Sequence, residues 1–122
     1  MPKTILAVDD SATMLQTISL ILEREGYKVV TAFDGVEGLK KLEAGERISV
    51  IITDLNMPNM DGITFTQEIR KLPKYKFTPV IMVTTESLGG KKDAGKAAGA
   101  TGWIVKPFQP AQLISVIKKV SP

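Results

Sequence analysis

Five times in this chain a short apolar run rich in β-branched residues gives way to a stretch whose apolar residues recur at helical spacing. The runs are Thr4 to Val8, Lys28 to Ala32, Val50 to Thr53, Val80 to Val83 and Trp103 to Val105. Alternation of this kind calls for a parallel sheet with helices on both faces and right-handed crossovers. The Val50 to Thr53 run reads as a strand buried on both faces, the type that parallel sheets use. It stops at Asp54, and Pro58, Asn59 and the Asp61-Gly62 pair then open a loop. Periodicity leaves the strand order open.

The helical stretches have recognisable ends. Ser11 is a plausible N-cap for a helix with Met14, Ile18, Ile21 and Leu22 on one face, closed by Gly26. After the turn Asp34-Gly35, Val36, Leu39 and Leu42 mark a short helix ending near Gly45. From Gly62, the positions Ile63, Thr66, Ile69, Arg70 and Leu72 suggest a third, stopped by Pro73. Lys91 to Ala98 is the weakest, because interior Gly95 costs roughly 1 kcal/mol relative to alanine. Pro110 suits the first turn of a last helix carrying Leu113, Ile114, Ile117 and Val120.

Length and composition narrow the function. A chain of 122 residues is expected to form one domain, 1–122, with a core that needs no staples. It has no cysteine, which excludes disulfides, thiol catalysis and Cys-based metal centres. It has no histidine either, so any phosphohistidine must belong to a partner. A net charge of +3 is too small to argue for direct nucleic-acid binding. No signal peptide and no apolar run long enough for membrane insertion are evident, so a cytoplasmic location is expected.

The residues just past the strands form a pattern. They are Asp9 and Asp10, Asp54, Thr84, and Lys106. In a parallel sheet these ends share one rim, the side where open α/β sheets bind ligands. Three carboxylates there repel and raise one another's pKa. A hard dication resolves the conflict: Mg²⁺, with Mn²⁺ as the alternative, takes oxygen ligands and keeps sites for phosphate oxygens. Acids, a lysine and a hydroxyl around Mg²⁺ suit a phosphoryl group, and one acid can act as nucleophile to form an acyl phosphate. Asp54, the single acid on a central strand, is the candidate; Asp9 and Asp10 are the better metal anchors.

Asp9-Asp10-Ser11, Asp54 through Gly62, Thr84-Thr85-Glu86 and Lys106-Pro107-Phe108 together resemble the motifs of two-component response-regulator receiver domains, most closely the stand-alone CheY type. The resemblance covers essentially the whole chain. It implies a flavodoxin-like, doubly wound α/β fold with five parallel strands in the order 2-1-3-4-5 and five helices. It implies a single-domain response regulator of chemotaxis type, whose Asp54 accepts a phosphoryl group from a sensor histidine kinase. Mg²⁺ would be held by Asp10, Asp54 and the Asn56 backbone carbonyl, with Asp9 acting mainly through water. Thr84 would bond the phosphoryl oxygens and Lys106 would pair with the group, next to a cis Lys106-Pro107 peptide. Asn56 and Glu86 would tune autodephosphorylation. Trp103, where tyrosine or phenylalanine is usual, would be the switch aromatic together with Thr84. A phosphoryl group of about −1.5 to −2 charge would then alter the face made by the fourth helix, fifth strand and last helix, where an output protein or peptide binds a monomer. Lys91, Lys92 and Lys96, with Lys118 and Lys119, would suit an acidic partner.

Competing patterns are weaker. Gly90 to Ala97 nearly spells a P-loop but lacks the closing Ser/Thr hydroxyl. Asp54-Leu55-Asn56 begins like a calcium loop, yet its fifth, sixth and twelfth positions are Pro58, Asn59 and Phe65. A small-molecule aspartate-nucleophile phosphohydrolase would want a second acid where Asn56 stands, and room for substrate-gripping insertions. The receiver half of a DNA-binding regulator is the other alternative; with Ser121-Pro122 directly after the last helix, no output domain is expected.

Overall fold

A computed structural model describes residues 3–45, 47–85 and 89–122. Its elements are β1 (Thr4–Val8), α1 (Ala12–Arg24), β2 (Lys28–Ala32), α2 (Gly35–Glu43), β3 (Val50–Thr53), α3 (Gly62–Lys71), β4 (Val80–Thr84), α4 (Gly89–Ala98), β5 (Gly102–Val105) and α5 (Pro110–Val120), with one 3₁₀ turn at Pro73–Tyr75. The five strands are parallel in the order β2-β1-β3-β4-β5.

Strand alternation divides the core in two. Ile5, Ala7, Val50, Ile52, Ile81, Val83 and Ile104 face one side, packed against Leu15, Ile18 and Leu22 of α1 and Leu113 and Ile117 of α5. Leu6, Val8, Ile51 and Val80 face the other, against Leu42 of α2 and Phe65 and Ile69 of α3. Fully burying a side chain such as Phe65 contributes about 1.5–3 kcal/mol. α2 comes close enough to cover it because position 38 is glycine: a Cβ there would lie 2.7 Å from the Phe65 ring.

The local signals act where the sequence puts them, with some shifts. Ser11 caps α1, its hydroxyl accepting from the Met14 N–H at 3.2 Å. Asp34-Gly35 is not a separate turn but the helix start, with Asp34 accepting from the Glu37 N–H at 2.8 Å. Asp61 caps α3 in the same way. That cap phases α3 so that Phe65, rather than Ile63, points into the core. The fourth helix is longer than its composition suggests, beginning at Gly89 instead of Lys91. No helix among the described residues is long and apolar enough to cross a membrane.

Candidate phosphoryl-accepting site

Asp9, Asp54 and Lys106 are each the first residue past a strand, with the backbone still held by the neighbouring strand, and Asp10 follows Asp9. The Asp9 N–H donates to the Ala32 carbonyl (3.1 Å), the Asp54 N–H to Val8 (3.0 Å) and the Lys106 N–H to Thr84 (2.8 Å). These ladder bonds fix where the side chains leave the sheet. The Asp9 carboxylate accepts from the Ser11 N–H at 2.9 Å, and the Asp54 carboxylate from the Leu55 N–H at 2.7 Å.

Carboxylate oxygens of Asp9, Asp10 and Asp54 lie within 4.8 Å of one another. Lys106 crosses the rim to bind two of them, its Nζ 2.7 Å from Asp9 Oδ2 and 3.3 Å from Asp54 Oδ2. Asp9 is 2% exposed and Asp54 9%, whereas Asp10 opens to solvent. Burial pushes the Asp9 carboxyl above its ordinary value, outweighing its bonds to Lys106 and Ser11. Burial alone would pull Lys106 down, but the hydrogen bond to Asp9 and the charges of Asp54 and Asp9 carry its ammonium above the usual lysine value. One ammonium set against three acids leaves a local excess of negative charge. The donors are all oxygen, which suits a small hard dication such as Mg²⁺.

The other expected site residues fall around this cluster. Thr84 ends β4, fully buried, opposite Val105 in the ladder. Asn56 is exposed in the loop two residues beyond Asp54. The Lys106–Pro107 peptide is cis. Trp103 lies on β5, with its indole turned toward α4 rather than the acid cluster. Glu86 lies outside the described residues.

Two supports were not anticipated from sequence. Gly62 donates its N–H to the Leu55 carbonyl at 2.8 Å, and a Cβ at that position would run into the Asp54 carbonyl oxygen. The glycine therefore lets the start of α3 close directly against the Asp54 backbone. Asn59, at a φ of 69°, donates to Asp34 Oδ2 at 2.7 Å and ties the same loop to the α2 cap. The Asp61-Gly62 dipeptide was the signal for the first; nothing in the sequence pointed to the second.

A parallel sheet in this order, with an acid cluster bridged by lysine at the carboxyl rim, is a doubly wound α/β module with an oxygen-rich rim that suits a hard cation. The family model for the response regulator receiver domain matches residues 5–118, and the chain belongs to that family. It is homologous to the CheY chemotaxis response regulators: it is 45% identical to chemotaxis protein CheY1 of Helicobacter pylori over 112 residues, 89% of each chain. The crystal structure of chemotaxis protein CheY4 of Vibrio cholerae superposes with a TM-score of 0.94 at 48% identity, covering 98% of this chain and 99% of that one. The receiver domain of a sensor histidine kinase from Pseudomonas aeruginosa, solved with a magnesium ion coordinated in its active-site cleft, gives a TM-score of 0.90 at 28% identity over 98% and 97% of the two chains.

Proposed function

We propose that this chain is a single receiver domain working as a chemotaxis-type response regulator, with Asp54 as phosphoacceptor. The observation that carries the reading is the Lys106 ammonium joining Asp9 and Asp54 inside a three-carboxylate cluster. An Asp54 oxygen attacks the phosphorus of a partner's phosphohistidine. The new O–P bond forms as the P–N bond breaks, and the leaving imidazole takes its proton from water. The chain cannot supply that donor, having no histidine.

Asp10, Asp54 and the Asn56 carbonyl would hold Mg²⁺, with Asp9 acting on it through water. The ion, when bound, neutralises phosphoryl charge that the acids would otherwise repel. Lys106 pairs with the phosphoryl group, and the buried Thr84 hydroxyl hydrogen-bonds it. Reversal by water is tuned by Asn56 and Glu86. The chain turns over no external substrate, which separates it from a phosphohydrolase. It acts in the cytoplasm as a monomer, reading a sensor histidine kinase and presenting α4, β5 and α5 to an output protein.

The test is transfer of labelled phosphate from a phosphorylated histidine kinase domain. The wild type acquires acid-labile, hydroxylamine-labile label that requires Mg²⁺, and Asp54→Asn acquires none. Label persisting unchanged in Asp54→Asn, or steady hydrolysis of small phosphate esters by the wild type, overturns the proposal.

A further inference from the structure

α4 lies against α3 but brings little apolar surface of its own. Its sequence, GGKKDAGKAA, contains no large apolar side chain. It contributes no residue to either buried core cluster. Across residues 90–97 every position is exposed except Gly95. Gly95 is covered by Trp103: a Cβ built on it would lie 2.8 Å from Cζ3 of the indole and 3.5 Å from Cε3. The benzo edge of the ring therefore occupies the space a side chain would need. Beyond this point α4 is pinned at its end, where Arg70 of α3 donates to the Gly99 carbonyl at 2.7 Å.

An interior glycine normally weakens a helix. Gly38 shows what offsets that cost elsewhere in this fold, since Phe65 fills its vacant side-chain position inside the core. Gly95 repeats the arrangement at the surface, with the half-buried Trp103 as the ring. The same indole walls a surface cavity of about 230 Å³ with Lys92, Lys96 and Thr101. Where the ring sits thus shapes the helix and the ground beside it together.

We propose that Gly95 is a positioning residue whose missing side chain seats the Trp103 indole, so that ring and helix dock on β5 as one unit. Displacing the indole releases the amino-terminal part of α4, and filling the seat displaces the indole. This deepens the switch reading above, and only its link to phosphorylation rests on that reading. The ring does not rotate alone: the helix follows it.

The test uses metal-free, unphosphorylated protein, so its failure and that of the phosphoacceptor assignment are distinguishable. Amide exchange in α4 and Trp103 emission are measured for the wild type, Gly95→Ala, Trp103→Phe, the double variant, and Gly90→Ala. A Cβ on Gly90 meets nothing within 4 Å, so that variant reports helix propensity alone. Propensity alone makes alanine at 95 protect α4 better, by roughly fivefold. A seated indole reverses the sign: Gly95→Ala lowers α4 protection and red-shifts Trp103 emission, while exchange in β1 and β3 stays unchanged. In the Trp103→Phe background, where the smaller ring vacates the seat, Gly95→Ala raises protection, as Gly90→Ala does in both backgrounds. Should Gly95→Ala raise α4 protection in the wild-type background with emission unmoved, the proposal is overturned. Equal effects of Gly95→Ala in the two backgrounds overturn it as well.

Discussion

Replacing Asp54 by asparagine should make the metal-free protein more stable, although it breaks an ion pair. The distances show why. The Asp54–Lys106 contact is 3.3 Å long, an attraction of about 5 kcal/mol at an effective dielectric of roughly 20. Asp9, its oxygen within 4.8 Å and nearly sealed from solvent, repels Asp54 by at least about 3.5 kcal/mol on the same scale. Asp10 is solvated, and at the dielectric of water it adds about 1 kcal/mol of repulsion. Attraction and repulsion nearly cancel. What remains is the cost of holding a carboxylate away from water, several kcal/mol per ion before compensation. Asparagine avoids that cost and keeps an oxygen for the Leu55 N–H. The expected gain is about 1–2 kcal/mol, because Lys106 keeps Asp9 as its partner at 2.7 Å and no buried charge is left stranded. Urea unfolding in EDTA measures it, with the slope m unchanged. Mg²⁺ then inverts the order. At a hundred times its dissociation constant a ligand adds about 2.7 kcal/mol to the protein that binds it, and Asp54→Asn has lost one charged ligand. A variant less stable than wild type in EDTA, or one that gains as much from Mg²⁺, would refute this account of the cluster.

Two further outcomes follow from the same geometry. Lys106→Met keeps the aliphatic stem but leaves Asp9 and Asp54 without their cation, and should cost about 3–5 kcal/mol in EDTA by denaturant unfolding. Because the folded protein holds the Lys106 ammonium above its ordinary 10.5, the wild type keeps this contribution below that pH and loses it as pH rises through the folded value. Lys106→Met should show a shallower alkaline decline, and parallel curves would contradict the pairing. Gly62→Ala drives a methyl into the Asp54 carbonyl, so it should cost about 1–3 kcal/mol or more and slow phosphoryl transfer; wild-type values for both would show that the loop has room to spare.

How much of this was legible in the sequence depends on the range of the interaction. Strands announce themselves through β-branched runs, and all five lie within a residue of where those runs put them. The acids were legible because each ends such a run, and a parallel sheet turns "end of strand" into "same rim" without further information. The amphipathic helices followed from their caps and apolar spacing. α4 is legible only as a weak helix from Lys91 to Ala98, two residues late at its start, because what it touches lies elsewhere in the chain: α3 beside it, the Trp103 ring on Gly95 and the Arg70 guanidinium on the Gly99 carbonyl. Propensity reads only the glycine and sees a defect.

The division of charge inside the site shows the same limit more sharply. The lack of a site residue after β2 fits an edge strand with nothing to offer, yet β5 is the opposite edge and supplies Lys106. From β5 to β1 is three strand spacings, about 14 Å. Lys106 and Asp9 must therefore extend toward each other over the ends of β3 and β4 to meet at 2.7 Å. The resemblance to other receiver domains gives Lys106 to the phosphoryl group. In the structure the lysine's shorter contact is with Asp9, and only the longer one, at 3.3 Å, is with Asp54. The deeper of the two acids holds the ammonium, since it has the least water to replace it. Asp54 is thereby left with the longer of the two lysine contacts, at 3.3 Å, and its other oxygen on the Leu55 N–H.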